Sequence, residues 1–218
     1  MRIELPDGIP AALALPDGPP RRGVALATDI GGLRPVFDEL CADLAATHGW
    51  AVCAPEPFPG REALTLEERL STRFVDATSV GALTDAADHL SAMGVERVAV
   101  LGFCQGGMAA YKAAATGRFD RAVSFYGMIR EPEQWASPGN LEPLDALAST
   151  ACVTLAIVGG RDRWTPPGDV EALRAIGDHV EVVVFPEADH GFAHDPARPA
   201  HRPGDAADAW AEVARFLA

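Results

Sequence analysis

Residues 98–108 read Val-Ala-Val-Leu-Gly-Phe-Cys-Gln-Gly-Gly-Met, an apolar run that leads into a Gly-x-Cys-x-Gly-Gly motif. The run predicts a buried strand, and the motif predicts a tight turn into a helix. This is the pattern of a nucleophile elbow with cysteine at its apex. Gly102 and Gly106 fit it because strand and helix approach too closely there for a side chain. A cysteine at a helix N-terminus, where the dipole favours an anion, is predicted to be a nucleophile, so Cys104 stands apart from ordinary core cysteines.

Apolar runs alternate with amphipathic stretches on both sides of this motif. Runs typical of strands buried on both faces occupy residues 23–28, 50–54, 97–102, 121–126, 152–158 and 180–185. Helical spacing of apolar residues occurs at residues 36–48, 80–93, 108–116, 169–176 and 205–217. This order predicts an α/β fold over residues 1–218: one domain with a doubly wound, mostly parallel sheet flanked by helices.

Three segments extend this scheme. Residues 1–15, with Asp-Gly in the middle, predict an antiparallel hairpin added at the sheet edge. Residues 180–185 partly alternate, which favours a strand near the other edge. The long stretch 55–78 predicts one helix over residues 65–74 that stands over the site.

The charge balance restricts the classes of partner. The 218 residues include 18 Lys and Arg against 31 Asp and Glu, a net charge of −13. Such an acidic surface disfavours binding to nucleic acid or to anionic membranes. No apolar run reaches the roughly 18–20 residues of a membrane span, and residues 1–8 lack the apolar core of a secretory signal. We therefore expect a cytoplasmic protein with no nucleic-acid or membrane partner, and a monomer.

The four cysteines, Cys41, Cys53, Cys104 and Cys152, form no Cys-x-x-Cys pair. This spacing argues against a zinc or thioredoxin-type site and predicts free thiols in a reducing compartment. Cys41 falls on the apolar face of a predicted helix, and Cys53 and Cys152 fall in predicted strands. Core packing accounts for these three, which leaves Cys104 as the one with a chemical role.

A cysteine nucleophile needs a base, and the base needs an acid to orient it. Asp162 follows the predicted strand at residues 152–158, and His190 follows the predicted strand at residues 180–185. The carboxyl ends of parallel strands meet at the edge of the sheet where ligands bind. The chain order Cys104, Asp162, His190 is that of α/β-hydrolases, so the sequence predicts a catalytic triad.

Other assignments of these roles are weaker. Asp189 competes with Asp162 for the acid, but adjacent residues rarely present their side chains to each other. The other histidines lie at predicted helix ends or in polar loops: His48, His89, His179, His194 and His201. His190 and His194 are four residues apart, which is a zinc-ligand spacing on a helix. Gly191 and Pro196 disfavour a helix in this segment, so the spacing does not predict a zinc site. The sequence implies neither a metal nor an organic cofactor.

With these residues identified, the chain resembles the dienelactone hydrolase family of α/β-hydrolases over residues 23–217. The resemblance rests on the elbow at residues 102–107, Gly-Arg-Asp at 160–162, Ala-Asp-His-Gly-Phe at 188–192, Ala-Thr-Asp-Ile-Gly-Gly at 27–32 and Phe-Tyr-Gly at 125–127. It implies that Cys104 attacks an ester or lactone carbonyl and that His190, oriented by Asp162, transfers protons. It also implies an oxyanion hole built from the backbone N–H groups of Gln105 and Ile30.

Two positions depart from the family pattern. Asp29 stands where well-studied members have a glutamate that partners the cysteine at rest, so Asp29 is assigned a catalytic role with a shorter reach. His194 stands where dienelactone-cleaving members have an arginine that holds the substrate carboxylate, and a neutral imidazole is a poor replacement for a guanidinium. The resemblance therefore implies a hydrolase whose substrate need not be dienelactone.

Substrate contacts are assigned to residues near the predicted triad. Arg69, Arg73 and Arg61, in the long stretch 55–78, are candidates for the missing arginine, and Arg163, just after Asp162, is another. Tyr126 and Phe192 lie in the motifs shared with the family and are assigned to the substrate site together with His194.

The sequence thus predicts an enzyme that hydrolyses small esters or lactones through an acyl-enzyme, with a small molecule as its partner. The alternative is a non-catalytic small-molecule binding protein on a degenerate hydrolase scaffold, because fold-level likeness does not establish turnover. A redox role for Cys104 is a third option, disfavoured because no resolving cysteine lies near it in sequence.

Overall fold

A computed structural model describes residues 1–218 and contains one eight-stranded sheet in the order β1-β2-β4-β3-β5-β6-β7-β8. The strands are β1 (Arg2–Leu5), β2 (Ile9–Ala14), β3 (Arg22–Ala27), β4 (Trp50–Pro55), β5 (Val98–Phe103), β6 (Arg121–Phe125), β7 (Val153–Gly159) and β8 (Val180–Phe185). β1 pairs with β2, and β2 with β4, in antiparallel register, whereas every other pair is parallel. The predicted mostly parallel sheet, its N-terminal hairpin and β8 at an edge are confirmed.

Seven helices cover the two faces of the sheet. They are α1 (Pro35–His48), α2 (Leu66–Leu70), α3 (Asp76–Ala92), α4 (Gln105–Ala114), α5 (Pro143–Ala148), α6 (Pro167–Arg174) and α7 (Pro203–Leu217). Side chains of α1 and α7 belong to the apolar core on one face, and those of α3, α4, α5 and α6 to the core on the other. Burial of both faces explains why the parallel strands read as nearly continuous apolar runs.

Local signals account for several helix ends. Pro35 and Pro203 occupy the first turns of α1 and α7, where a missing N–H costs nothing. Gly49 ends α1 in the left-handed conformation, with φ 69°. No helix of the structure is both long and apolar enough to cross a membrane.

The helices near the site differ from the sequence prediction. The predicted helix at 65–74 is shorter: Thr65 begins α2 with a capping box to Glu68, and the helix ends at Leu70. α3 begins at Asp76, four residues before the predicted start, and α5 was not predicted at all. α5 has only six residues, too few for apolar periodicity to reveal it.

Candidate active site

The turn between β5 and α4 is an elbow with Cys104 at its apex. Cys104 has φ 56° and ψ −121°, a conformation that residues with side chains rarely adopt. A Cβ at Gly102 would lie 2.1 Å from the carbonyl oxygen of Gly106, and one at Gly106 would lie 2.2 Å from that of Thr28. Both positions require glycine because the collisions would be with backbone. The elbow therefore holds the thiol at the N-terminus of α4.

Asp162 and His190 meet across the ends of two neighbouring strands. Asp162 follows β7 and His190 follows β8, and His190 Nδ1 lies 2.7 Å from Asp162 Oδ2. The other oxygen of Asp162 accepts a 2.8 Å hydrogen bond from the backbone N–H of Trp164, which fixes the carboxylate. Asp189 Oδ1 instead accepts a 2.7 Å hydrogen bond from the backbone N–H of His190. The residue that contacts the imidazole ring is therefore Asp162.

The pKa of His190 is shifted by three influences. Burial lowers the pKa, whereas hydrogen bonds to Asp162 and to the Cys104 sulfur, together with their electrostatic attraction for an imidazolium, raise it, and the result is a pKa raised to about 10. At neutral pH this balance favours an imidazolium between Asp162 and Cys104. An imidazolium in this position can act as a general acid that donates its proton to a leaving group.

Cys104 and His190 open into one cavity of about 530 Å³. Its polar side includes Asp29, Arg34, Asp195 and Arg198, and its apolar side includes Leu66, Leu70, Met128, Trp135 and Trp164. The volume suits a small molecule, and the mixture of an apolar lining with a few polar groups is typical of ligand sites.

The loop after β3 forms a further part of this cavity through Asp29, Ile30 and Gly31. The N–H of Gly31 donates to Asp29 Oδ1 at 2.8 Å, and the N–H of Gly32 donates to the Asp29 carbonyl at 2.9 Å. The Ile30 N–H has no partner within the chain. The first N–H groups of α4, beginning with Gln105, likewise have no partner inside their helix. Both predicted oxyanion donors thus retain hydrogen-bonding capacity: Ile30 lines the same cavity as Cys104, and Gln105 directly follows Cys104 in the chain.

Asp29 is held by groups other than Cys104. Its oxygens accept from Arg34 at 2.5 and 2.8 Å and from His194 Nε2 at 2.9 Å, and Arg198 lies 3.6 Å away. Burial raises the pKa of Asp29, but the hydrogen bonds from Arg34 and His194 outweigh it and hold that pKa well below its usual range. Asp29 is therefore a fixed negative charge that organises the loop.

Tyr126, Phe192 and His194 lie behind the cavity rather than on its lining. The Tyr126 hydroxyl is 2.5 Å from His194 Nδ1. Burial raises the pKa of Tyr126 well above its usual value, and burial lowers that of His194. The hydroxyl therefore donates to a neutral His194, which donates to Asp29. Phe192 packs on Tyr126 with ring centroids 5.6 Å apart.

Three of the arginines considered as substrate ligands do not line the cavity. Arg69 is buried and its guanidinium pairs with Glu56 at 3.2 Å over the ring of Phe58. Arg61 and Arg73 line a separate, smaller cavity of about 160 Å³ that does not include Cys104. The arginines that line the cavity are instead Arg34, Arg163 and Arg198.

The helix predicted to stand over the site is present as α2, which contributes Leu66 and Leu70 to the cavity, whereas Arg34, Arg198 and Trp135 were not predicted as site residues. Arg34 carried one usable signal, since it follows Asp29 by five residues in the same loop. The others come from segments without periodic apolar patterns, so no local rule places them at the cavity.

The remaining cysteines are free thiols away from this cavity. Burial raises the pKa of Cys41 and Cys53 to about 12 and that of Cys152 to about 11. They are thus protonated at neutral pH and poor nucleophiles.

Comparison with known proteins gives a consistent result. The model of the dienelactone hydrolase family matches residues 9–218. A protein of Escherichia coli strain K12 named "Putative carboxymethylenebutenolidase" is 30% identical, with 97% of this chain and 82% of the relative covered. One of the same name from Methylorubrum extorquens is 30% identical over 96% of this chain and 77% of its own length. A crystal structure described as "Putative Dienelactone Hydrolase" from Klebsiella pneumoniae superposes with a TM-score of 0.87 at 27% identity, covering 99% of this chain and 96% of that one.

Proposed function

The chain belongs to the dienelactone hydrolase family of lactone and ester hydrolases, and on this premise we propose that it cleaves small esters or lactones through Cys104, His190 and Asp162. The observation that carries the proposal is the arrangement of these residues. Cys104 and His190 face the same cavity, and Asp162 holds the far side of the imidazole at 2.7 Å.

Acylation begins when the sulfur of Cys104 attacks the carbonyl carbon of the substrate. His190 already holds the proton of Cys104 as an imidazolium, so the C–S bond forms directly from the sulfur and the carbonyl oxygen becomes an oxyanion. Collapse of this intermediate breaks the C–O bond, and the imidazolium returns its proton to the leaving oxygen. An ester releases an alcohol, whereas a lactone leaves a hydroxyacyl thioester on Cys104.

Deacylation uses the same groups in the opposite direction. His190 removes a proton from water, the hydroxide attacks the thioester carbon, and the C–S bond breaks. The proton on His190 returns to the departing sulfur, and the carboxylic acid leaves. Asp162 keeps Nδ1 protonated and Nε2 directed at the reacting atoms in both halves.

The oxyanion is stabilised in this proposal by the N–H groups of Ile30 and Gln105. Preorganised donors of this kind contribute about 3–4 kcal/mol each to transition-state stabilisation. Asp29 serves the same end indirectly, because its hydrogen bond to the Gly31 N–H fixes the turn that presents Ile30.

Replacement of the nucleophile tests the proposal. We expect Cys104→Ala to lower kcat/KM for phenyl acetate by about 10⁴-fold or more, since loss of one triad member removes the covalent route. Cys152→Ala is the matched control, because Cys152 lies outside the cavity, and it should retain wild-type activity. Hydrolysis that persists unchanged in Cys104→Ala would contradict the proposal.

A further inference from the structure

The cavity beside Cys104 has an apolar wall that the triad does not use. Leu66 and Leu70 lie one helical turn apart on α2, and both line the cavity although they are 57% and 40% exposed. They are among the large apolar side chains that the fold leaves open to solvent. Met128 and Trp164 add further apolar side chains to the lining of the same cavity. Binding of a ligand that covers such an apolar surface is favourable, because it removes apolar area from water.

This wall is held in place by specific hydrogen bonds. Trp135 Nε1 donates to the Leu70 carbonyl at 2.8 Å. The guanidinium of Arg69 donates to the carbonyls of Glu62 at 2.7 Å and Leu64 at 3.1 Å, and it pairs with buried Glu56. α2 is therefore anchored at both ends, and its leucines form a preorganised surface.

The two tryptophans of the wall have different exposures. Their rings are nearly parallel, at 12°, with centroids 6.0 Å apart, so they pack on each other and leave no space for a third ring between them. Trp135 is only 1% exposed and supports Trp164, which is partly open. The face offered to a ligand is thus made of Leu66, Leu70 and Trp164.

Two arginines and two carboxylates that line the cavity are already paired with one another. Arg34 makes two contacts with Asp29, at 2.5 and 2.8 Å, and lies 4.0 Å from Asp195. Arg198 lies 3.6 Å from Asp29. Two guanidinium groups therefore face two carboxylates, and a ligand carboxylate would have to compete with carboxylates that the fold holds in place.

Arg163 is the cavity cation without a carboxylate partner. It is exposed, and its guanidinium lies 5.4 Å from the ring centre of Trp164. A solvent-exposed charge at a rim is screened and contributes little to affinity. Arg163 therefore does not turn the cavity, whose other arginines are paired with carboxylates, into a site that attracts anions.

We infer that the substrate is an uncharged ester or lactone with an apolar group, which packs on the wall formed by Leu66, Leu70 and Trp164. This inference rests on the proposed hydrolase function and adds the class of substrate. It excludes a free carboxylate as the group that the site recognises.

The first experiment removes the wall without disturbing the core. Leu66→Gln/Leu70→Gln changes two exposed helical side chains to one of similar helix propensity. We expect kcat/KM to fall about tenfold for methyl phenylacetate or for benzyl acetate, and to stay within about twofold for methyl acetate, since lost apolar contact in a pocket costs roughly this much. Leu15→Gln, an exposed leucine outside the cavity, is the matched control.

The second experiment adds a charge to the substrate. Methyl phenylacetate and the monomethyl ester of phenylmalonic acid differ by one carboxylate, and each rate is normalised to its hydroxide-catalysed rate. The uncharged ester should have a kcat/KM at least about tenfold higher, and Arg163→Gln should leave this ratio nearly unchanged.

Three outcomes would overturn the inference. One is an equal loss of activity for methyl acetate and the apolar esters in the Leu66/Leu70 variant, and another is no loss for any ester. The third is a preference for the charged ester that disappears in Arg163→Gln. In all three, hydrolysis that still depends on Cys104 would leave the proposed function standing, whereas hydrolysis indifferent to Cys104→Ala would remove both proposals.

Discussion

Two histidine–aspartate pairs have histidines only four residues apart in the chain, and the pKa values of these two histidines are shifted in opposite directions. His190 contacts Asp162 at 2.7 Å, and His194, four residues later, contacts Asp29 at 2.9 Å. Both histidines are largely buried. Yet the pKa of His190 is raised to about 10, whereas that of His194 is lowered.

The difference comes from the groups that surround each pair. Asp162 pairs with no arginine, and the Cys104 sulfur beside His190 attracts an imidazolium and so raises the pKa of His190. Asp29 is already neutralised by Arg34, and Arg198 and Arg34 also oppose a positive charge on His194. A buried imidazole beside a carboxylate is therefore not by itself a catalytic base, because the charges around the carboxylate decide which proton state is held.

The largest expected contrast is in activity. His190→Asn should lower kcat/KM for phenyl acetate by about 10⁴-fold, because it removes the proton carrier. His194→Asn should cost less than about 100-fold, the effect of a slightly misplaced loop donor, because His194 acts only through Asp29. Circular dichroism on both variants checks that each is folded. Equal losses in the two variants would show that the pairs do not have separate roles.

A smaller contrast is expected in stability against pH. The raised pKa of His190 stabilises the fold below pH 6.5, and this contribution is lost as pH rises from about 6.5 to 10. The lowered pKa of His194 stabilises the fold above pH 6.5, and this contribution is lost as pH falls below that value. Each unit of pKa difference corresponds to about 1.4 kcal/mol.

Urea unfolding of the two variants separates these contributions. His190→Asn should lose less stability than the wild type between pH 7 and 10, and His194→Asn should lose less between pH 6.5 and 5. Cys104→Ala should partly reproduce the first result, since the thiol contributes to the shift of His190. Parallel stability profiles for the wild type and both histidine variants would contradict the opposite shifts.

The two pairs also differ in how far the sequence predicts them. Cys104 lies in a Gly-x-Cys-x-Gly-Gly motif directly after an apolar strand, and the collision that requires glycine at 102 is with Gly106 only four residues later, so a local pattern predicts the elbow. Asp162 and His190 follow apolar strands, and the geometry of a parallel sheet then brings their loops to one edge. Local pattern and sheet topology were enough for the fold and for these three positions.

The Asp29 pair depends on contacts between loops that no periodic pattern reveals. His194 was assigned to the substrate site, yet it lies behind the cavity between Tyr126 and Asp29. Arg69 was assigned there too, but its guanidinium pairs with Glu56 thirteen residues earlier. In both cases a buried polar side chain is used by a partner in another irregular segment, and sequence spacing does not specify that partner.

Mass spectrometry of a trapped intermediate tests the central claim, that Cys104 is a nucleophile served by His190, most directly. A slowly deacylating aryl ester is mixed with the wild-type protein, quenched in acid and digested. We expect one added acyl mass on the peptide that contains Cys104, with none on the peptides of Cys41, Cys53 or Cys152, and a much reduced yield in His190→Asn. Ester turnover by the wild type with no acyl group on Cys104, or with the acyl group on another residue, would contradict it.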